Sequence, residues 1–276
     1  MLNSVVDEEL ELLLEAIYKQ YGHDYRDYSR AHIRRRLNNH MRLAGYDTMA
    51  DLQELVLNDR NRASALLQDL SITVTEMFRD PDFYRAVREK VVPMLRTWSH
   101  IRIWHAGCST GEEVYSMAIL LKEAGLYERA RIYATDMNPK ALERAAEGIY
   151  PLDKIRGYSR NYQRSGAAGS FAEHCLAGYG SAIMDQSLKK NIVWAEHNLV
   201  TDSDFAEVQM VVCRNVMIYF NRKLQHRVHA MFKKSLVNGG ILCLGAKESI
   251  EHTDQHQNYT AIDQRHKIYK KKYSAG

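Results

Sequence analysis

Apolar residues recur at helical spacing through the first quarter of the chain and at strand spacing further on. Leu10, Leu13, Leu14 and Ile17 share one face of a 3.6-residue repeat, and Ser4-x-x-Asp7 precedes them in the pattern of a capping box. A second helix is predicted from about Ser29 to Leu43, with Ile33, Leu37 and Met41 on one face and Gly45 as its stop. Thr48-x-x-Asp51 caps a third helix, and a fourth covers roughly Arg60 to Leu70. Thr73 to Arg79 is polar and irregular, a linker without Gly or Pro. Asp80-Pro81 then reads as the N-cap and first turn of another helix, which Pro93 should stop near Val92.

From Ile101 the pattern changes to strand–helix alternation. Strands are predicted at 101–106, 131–135, 192–196, 209–213, 241–245 and near 267–271, and helices at 111–124, 138–147 and 222–237. Such alternation implies a mostly parallel sheet with right-handed crossovers. Residues 151–191 break the rhythm with five glycines (157, 166, 169, 178, 180) among aromatics, and read as a small antiparallel insertion at the ligand edge. The fold class is thus α/β, a Rossmann-like domain over 80–276 carrying a β insertion. An all-helical N-terminal domain over 1–75, with a linker to about 79, precedes it.

The densest chemistry lies in Ile101–Tyr115. A β-rich run ends at Gly107, Gly111 follows, and an apolar-periodic helix begins. That is the strand–loop–helix of a nucleotide-binding sheet, but its spacing is G-x-x-x-G rather than the G-x-G-x-x-G of a pyrophosphate cradle. Glu112 and Glu113 at the helix start would repel a pyrophosphate and suit a cation or hydroxyls. S-adenosylmethionine offers a sulfonium, an ammonium and ribose hydroxyls without phosphate. Asp136 ends the second strand, where a carboxylate accepts both ribose hydroxyls or else caps the following helix. His197-Asn198-Leu199 follows the third parallel strand, where an amide side chain is either loop or adenine contact. Cys213-Arg-Asn-Val-Met-Ile-Tyr-Phe220 follows the next; Arg, Asn and Tyr there are costly to bury without partners, which favours ligand contact.

Composition narrows the remainder. The chain has 276 residues, enough for one large or two small domains, and no run of 18 apolar residues that would span a membrane. Its start, Met1 to Glu9, is acidic and lacks the basic and apolar regions of a signal peptide. Cysteines 108, 175, 213 and 243 have no metal spacing and read as reduced thiols of a cytoplasmic protein. The 12 histidines show no metal-ligand pair, so no metal is expected. A net charge of +4 is too mild to argue for nucleic acid. Lysines 267 and 270–272 read as solubilising.

Taken together, Thr75-Glu-Met-Phe-Arg-Asp80, Ala106-Gly-Cys-Ser-Thr-Gly-Glu-Glu-Val-Tyr-Ser116, Ala134-Thr-Asp136, His197-Asn-Leu199, Cys213–Phe220 and Gly239-Gly-Ile-Leu-Cys-Leu-Gly-Ala-Lys-Glu248 resemble the chemotaxis-receptor methyltransferases of the CheR family. Order and spacing match over nearly the whole length. The resemblance implies methyl transfer from S-adenosylmethionine to glutamate side chains of a chemoreceptor or related sensor, leaving S-adenosylhomocysteine. It also implies that a β insertion of this kind contacts receptors in some members. By the same resemblance Thr73, Thr75 and Arg79 reach the cofactor from the linker, Gly107 belongs to its loop, Glu113 faces the methionine part and Asp136 the ribose. Asn198 and Leu199 flank the adenine, Arg214 and Asn215 line the reacting end, and Arg79 and Tyr219 handle the substrate carboxylate. The family often has Asn and Phe where this chain has Thr73 and Met77.

A glutamate is already ionised at pH 7, so the reaction needs alignment and exclusion of water rather than a general base. Arg30, Arg34, Arg35, Arg36 and Arg42 stud the second helix, with Arg35 and Arg42 on one face and Arg34 beside them. That is a solvated basic face or, as the resemblance implies, a dock for an acidic helical receptor surface. Three rivals use the same sheet or cofactor. An NAD-linked oxidoreductase lacks its glycine fingerprint here, a nucleic-acid methyltransferase would bind with a steep salt dependence, and a SAM-sensing regulator would transfer nothing.

Overall fold

The computed structural model describes residues 7–70 and 74–273; the capping-box Ser4 and the linker residue Thr73 lie outside them. The described residues form two units, one of residues 7–70 with Tyr219–Arg227 and one of residues 74–218 with 228–273.

The first unit holds four helices, α1 (Asp7–Tyr21), α2 (Arg30–Ala44), α3 (Met49–Asn58) and α4 (Arg60–Leu70). The predicted stripes are its core: Leu10, Leu13, Leu14, Ile17, Ile33, Leu37 and Met41 are buried with Leu52, Leu66 and Leu70. Gly45 ends α2 at φ 75°, its N–H donating to the Met41 carbonyl in the left-handed position that glycine tolerates best. The Thr48 hydroxyl accepts the Asp51 N–H, and the Asp51 carboxylate accepts the Thr48 N–H, closing the predicted capping box. Periodicity gave no sign that Tyr219–Arg227 joins this unit. The Ser29 N–H donates to the Tyr219 carbonyl at 2.7 Å, and the Asn221 side chain donates to Asp27 at 2.9 Å.

The second unit is built on a seven-stranded sheet. Its strands are β1 (Ile101–Ala106), β2 (Ala130–Asp136), β6 (Ile192–Glu196), β7 (Val208–Cys213), β8 (Leu236–Leu244), β9 (Tyr259–Asp263) and β10 (Ile268–Lys271). Their order is β6-β2-β1-β7-β8-β10-β9, the first five parallel and β10 antiparallel to its neighbours β8 and β9. The order reverses at β1, so the carboxyl ends of β1, β2 and β7 form the crevice where such sheets bind ligands. Helices α7 (Glu112–Glu123), α8 (Pro139–Glu147) and α10 (Arg222–Ser235) follow β1, β2 and β7. Along β1, Ile101, Ile103 and His105 share one face of the strand and Trp104 the other, where it stacks on Phe205 at 4.4 Å.

Several expectations need correction. Pro93 does not stop its helix. An α segment, α5 (Pro81–Ala86), opens into a π-turn over Val87–Val91, and α6 (Val92–Leu95) continues through the proline. The wider turn accommodates a residue with no N–H and a ring that would crowd the preceding turn. Asp80 is not a side-chain cap; it sits at φ 57° and its carboxylate accepts from Arg214 instead. The insertion starts before residue 151 and is not all β. Strands β3 (Ile149–Pro151), β4 (Cys175–Gly178) and β5 (Ser181–Met184) form an antiparallel sheet in the order β3-β5-β4, and a 13-residue helix, α9 (Leu152–Arg164), intervenes. Glycines at 157, 166 and 169 masked that helix, although Ile155, Tyr158 and Tyr162 carry its inward face. Strand β9 was not anticipated, and β8 begins at Leu236 rather than 241. Lys271 is more than solubilising, because its ammonium donates to the Lys233 carbonyl at 2.7 Å in the last turn of α10. The four cysteines are free, and among the described residues no helix is long and apolar enough to cross a membrane.

Candidate functional site

The loop Gly107–Gly111 turns the chain from β1 into α7. Gly107 lies at φ 77°, and a Cβ there would come 2.6 Å from a Val216 methyl; at Gly111, φ 89°, it would meet Ala145 at 2.9 Å. Both positions therefore need glycine for conformation and for space. The N–H groups of Gly107 and Cys108 donate to the Thr135 carbonyl, which ties the loop to the end of β2.

Asp136 stands at that end. One carboxylate oxygen accepts the Ser109 N–H at 2.8 Å and the other the Asn138 N–H at 3.0 Å. The cap of α8 is Asn138, whose side-chain oxygen accepts from Lys140 and Ala141. Asp136 is thus released from the helix-cap alternative. Burial pushes its carboxyl above the usual range, against the pull of the backbone N–H groups. A carboxylate has about four acceptor positions, so room remains for hydroxyl donors. The His197 N–H donates to the Asp136 backbone carbonyl and brings the next motif alongside. In that motif Asn198 accepts the Val200 N–H through its side-chain oxygen, and Leu199 is buried.

The two glutamates at the start of α7 part company. Glu112 turns inward, accepting from the Thr110 hydroxyl at 2.6 Å and the Tyr158 hydroxyl of α9 at 3.3 Å, and burial raises its carboxyl. Glu113 joins a charged chain. Its Oε2 accepts Arg214 Nη1 at 2.9 Å, its Oε1 lies 3.2 Å from His105 Nδ1, and Arg214 Nη2 reaches Asp80 at 2.7 Å. The Arg214 guanidinium sits 3.9 Å over the Phe83 ring, with its side chain only 1% exposed. Burial alone would raise the Glu113 carboxyl, but the His105 contact and the Arg214 charge hold it below the usual range. Burial likewise opposes the Arg214 charge, and Glu113, Tyr84 and Asp80 more than restore it.

Glu248 fixes the other wall. Buried, it accepts four backbone N–H groups: Val216 and Met217 on Oε1 at 2.9 and 2.8 Å, Asn215 and Gly245 on Oε2 at 3.0 and 2.6 Å. It thereby holds Asn215 at φ 62° beside Arg214. The linker is pinned as well: the Phe78 N–H donates to the Ser116 hydroxyl at 2.8 Å, and Asn161 of α9 donates to the Met77 carbonyl at 3.2 Å. Arg79 is partly exposed and, among the described residues, donates only to the Val74 carbonyl, at 3.3 Å, while Thr75 is half-buried.

The fold thus gathers Gly107, Glu113, Asp136, Arg214 and Asn215 directly, with Asn198 and Leu199 one contact further and Arg79 beside Asp80. It does not bring together all the predicted residues. Tyr219 belongs to the first unit, where its ring meets His32 edge-on at 5.1 Å. The docking arginines of α2 are unequal: Arg34 is paired with Asp7, Arg42 donates to Asn39 at 3.0 Å, and Arg35 is exposed with no ion pair among the described residues. Sequence reasoning missed His105, Asp80 and Glu248. His105 did carry a signal, since its parity along β1 aims it at the start of α7.

The donor set is acidic toward the crevice and fits a cationic, hydroxyl-bearing ligand. Buried polar atoms without a protein partner surround it: the Ser109 hydroxyl, Arg214 Nε and His105 Nε2. Among the described residues no group of His, Cys, Asp and Glu is arranged for a metal ion. Sheet order, glycine loop and acidic crevice define a methyltransferase domain that binds S-adenosylmethionine.

The chain belongs to the CheR methyltransferase family. Residues 73–267 match the model of the CheR methyltransferase, SAM binding domain, and residues 8–71 that of the CheR methyltransferase, all-alpha domain. It is 51% identical over 265 residues to the putative methyltransferase Cher3 of Pseudomonas putida, covering 96% of this chain and 97% of that protein. Over 257 residues it is 30% identical to chemotaxis protein methyltransferase 1 of Vibrio cholerae, covering 90% and 91%. The chemotaxis protein methyltransferase of Listeria innocua is 29% identical over 236 residues, covering 85% and 87%.

Proposed function

We propose that this protein is a cytoplasmic protein-glutamate O-methyltransferase of chemotaxis signalling, which esterifies glutamate side chains on an acidic helical region of a chemoreceptor or related sensor. The observation that carries the reading is the Glu113 carboxylate, clamped between Arg214 and His105 at the mouth of the glycine loop. S-adenosylmethionine, when bound, supplies an electrophilic methyl group on a sulfonium. Glu113 would hold the ammonium of its methionine part, since each of its oxygens has one partner and keeps a further acceptor position. Asp136 takes the ribose hydroxyls on the positions that Ser109 and Asn138 leave open. Asn198 presents its amide to the adenine over Leu199, and Thr73 and Thr75 hold the cofactor from the linker. Arg214 and Asn215 shape the reacting end.

Arg79 orients the incoming glutamate carboxylate. A tight two-pronged pair would blunt the nucleophile, so its work is positioning rather than activation. Carboxylate and sulfonium neutralise each other as the reaction proceeds, and a site closed to water favours that loss of charge. On α2, Arg35 and Arg42 offer exposed positive charge to an acidic partner, with Arg34 as a weaker third member. The test is labelling of a cell extract with tritiated S-adenosylmethionine, followed by mild alkali. Release of volatile methanol from a receptor-sized protein band is expected. Label that survives alkali, or that resides in nucleic acid, overturns the reading.

A further inference from the structure

We infer that His105 is a positioning residue for the cofactor, fixing the plane of the Glu113 carboxylate so that it meets the amino-acid end of S-adenosylmethionine. The inference rests on the proposal that Glu113 receives that end. His105 is fully buried in β1, between Ala134 of β2 and Val212 of β7 in register. Its Nδ1 faces Glu113 Oε1 at 3.2 Å, while its Nε2 is buried without a partner. A carboxylate only accepts, so Nδ1 carries the hydrogen and donates, and Nε2 is left without a partner. A histidine serving the core alone would have both ring nitrogens satisfied or would be replaced by an aliphatic residue without penalty. This one satisfies a single nitrogen, and the partner is the site carboxylate.

The geometry gives that contact a task. Arg214 Nη1 holds only Oε2, an anchor about which the carboxylate can still turn. His105 on Oε1 is the second anchor, from a different element, and together they fix both oxygens. The charged groups facing the pair are Arg214 and, through it, Asp80; among the described residues no other forms an ion pair with Glu113 or His105. Fixing the acceptor before the cofactor arrives removes part of the ordering that binding would otherwise require.

The experiment measures binding of S-adenosylmethionine, S-adenosylhomocysteine and 5′-methylthioadenosine, which lacks the amino-acid end, by calorimetry on the full chain. His105→Leu should weaken the first two about tenfold, the loss of one hydrogen bond to a charged group, and leave the third unchanged. Its melting temperature should change little, because an unsatisfied ring nitrogen leaves the core while the Glu113 carboxylate loses one of its two partners, and the two effects oppose each other. His105→Asn offers a donor near the position of Nδ1 and should recover most of the affinity, whereas His105→Gln, a mimic of Nε2, should not. Unchanged affinity in the leucine variant overturns the inference, as does a parallel loss for 5′-methylthioadenosine. Should the leucine variant fail to fold, equal affinities for the Asn and Gln variants overturn it. Glu113→Gln separates the two levels: if it leaves S-adenosylmethionine affinity intact, the assignment of Glu113 has failed rather than that of His105.

Discussion

Glu248→Gln keeps the shape of a buried side chain and removes half of what it does. Each carboxylate oxygen accepts two backbone N–H groups, Val216 and Met217 on one, Asn215 and Gly245 on the other. An amide can present its oxygen to only one of these pairs, and its NH2 group then opposes the donors of the other. Two hydrogen bonds to a charged group are lost, each about 1.5–3 kcal/mol. Relief of a buried charge returns part of that, so the net loss should be about 3 kcal/mol. For a unit of this size each kcal/mol moves the melting temperature by about 2–4 °C, which gives a fall of roughly 6–12 °C. Differential scanning calorimetry measures it directly. Affinity for S-adenosylmethionine, titrated well below the transition, should fall as well, because Asn215 at φ 62° loses one of its restraints. A melting temperature within about 2 °C of the parent would refute the claim that this carboxylate organises the loop, since the expected shift exceeds that several-fold.

Asp136→Ala should weaken S-adenosylmethionine binding by roughly 1.5–3 kcal/mol in calorimetry, and unchanged affinity would remove Asp136 from the ribose. Arg79→Lys should preserve the fold and cofactor binding yet lose most methyl transfer, because a point charge cannot orient a carboxylate as a planar fork does; parental turnover would contradict the geometric role. Replacing Arg35 and Arg42 with Glu should raise KM for the protein substrate and slow association most at low salt, with cofactor affinity untouched, and equal kinetics at low ionic strength would leave that face merely solvated. For Asp263, burial would raise the carboxyl, but Lys90 at 2.7 Å and the His266 N–H at 2.9 Å hold it below the usual range. A lowered acid stabilises the fold above its unfolded value, and that contribution is lost as pH falls. Asp263→Asn should therefore melt below the parent at pH 7, with the gap closing below about pH 4.

What was legible in the chain was whatever a periodicity or a local rule could express. Leu10–Ile17 and Ile33–Met41 marked a helical core by spacing alone, and Gly107 and Gly111 marked a turn that no other residue fits. The parallel strands were legible because strands buried on both faces read as apolar runs. What failed had its cause elsewhere in space. Pro93 stops a helix only if the backbone keeps its α spacing, and here it widens to a π-turn. Asp80 caps a helix unless a guanidinium claims it, and that guanidinium is Arg214, 134 residues away. The assignment of Tyr219–Arg227 to the helical unit rests on pairing with Asp27–Ser29, which no window of sequence contains.

The acids around the crevice sort by partner rather than by residue type. Asp136 and Glu248 accept backbone N–H groups and so hold loops; neither forms an ion pair among the described residues. Glu112 is taken by two hydroxyls and buried, which ties α9 of the insertion to the start of α7. Glu113 alone joins a cation and a histidine, and it keeps part of its surface open, with 18% of the side chain exposed. Under the proposed assignment, the cationic end of the ligand meets one carboxylate, and the Arg214 that pairs with it is already shared with Asp80. That sharing lowers the desolvation penalty of an empty crevice, because the acid is never buried alone. Under the same assignment it also limits affinity, because the ligand competes with an arginine for the same charge. A methyltransferase that must release S-adenosylhomocysteine after each transfer gains from that limit, since product bound as tightly as the site could allow would hold back turnover.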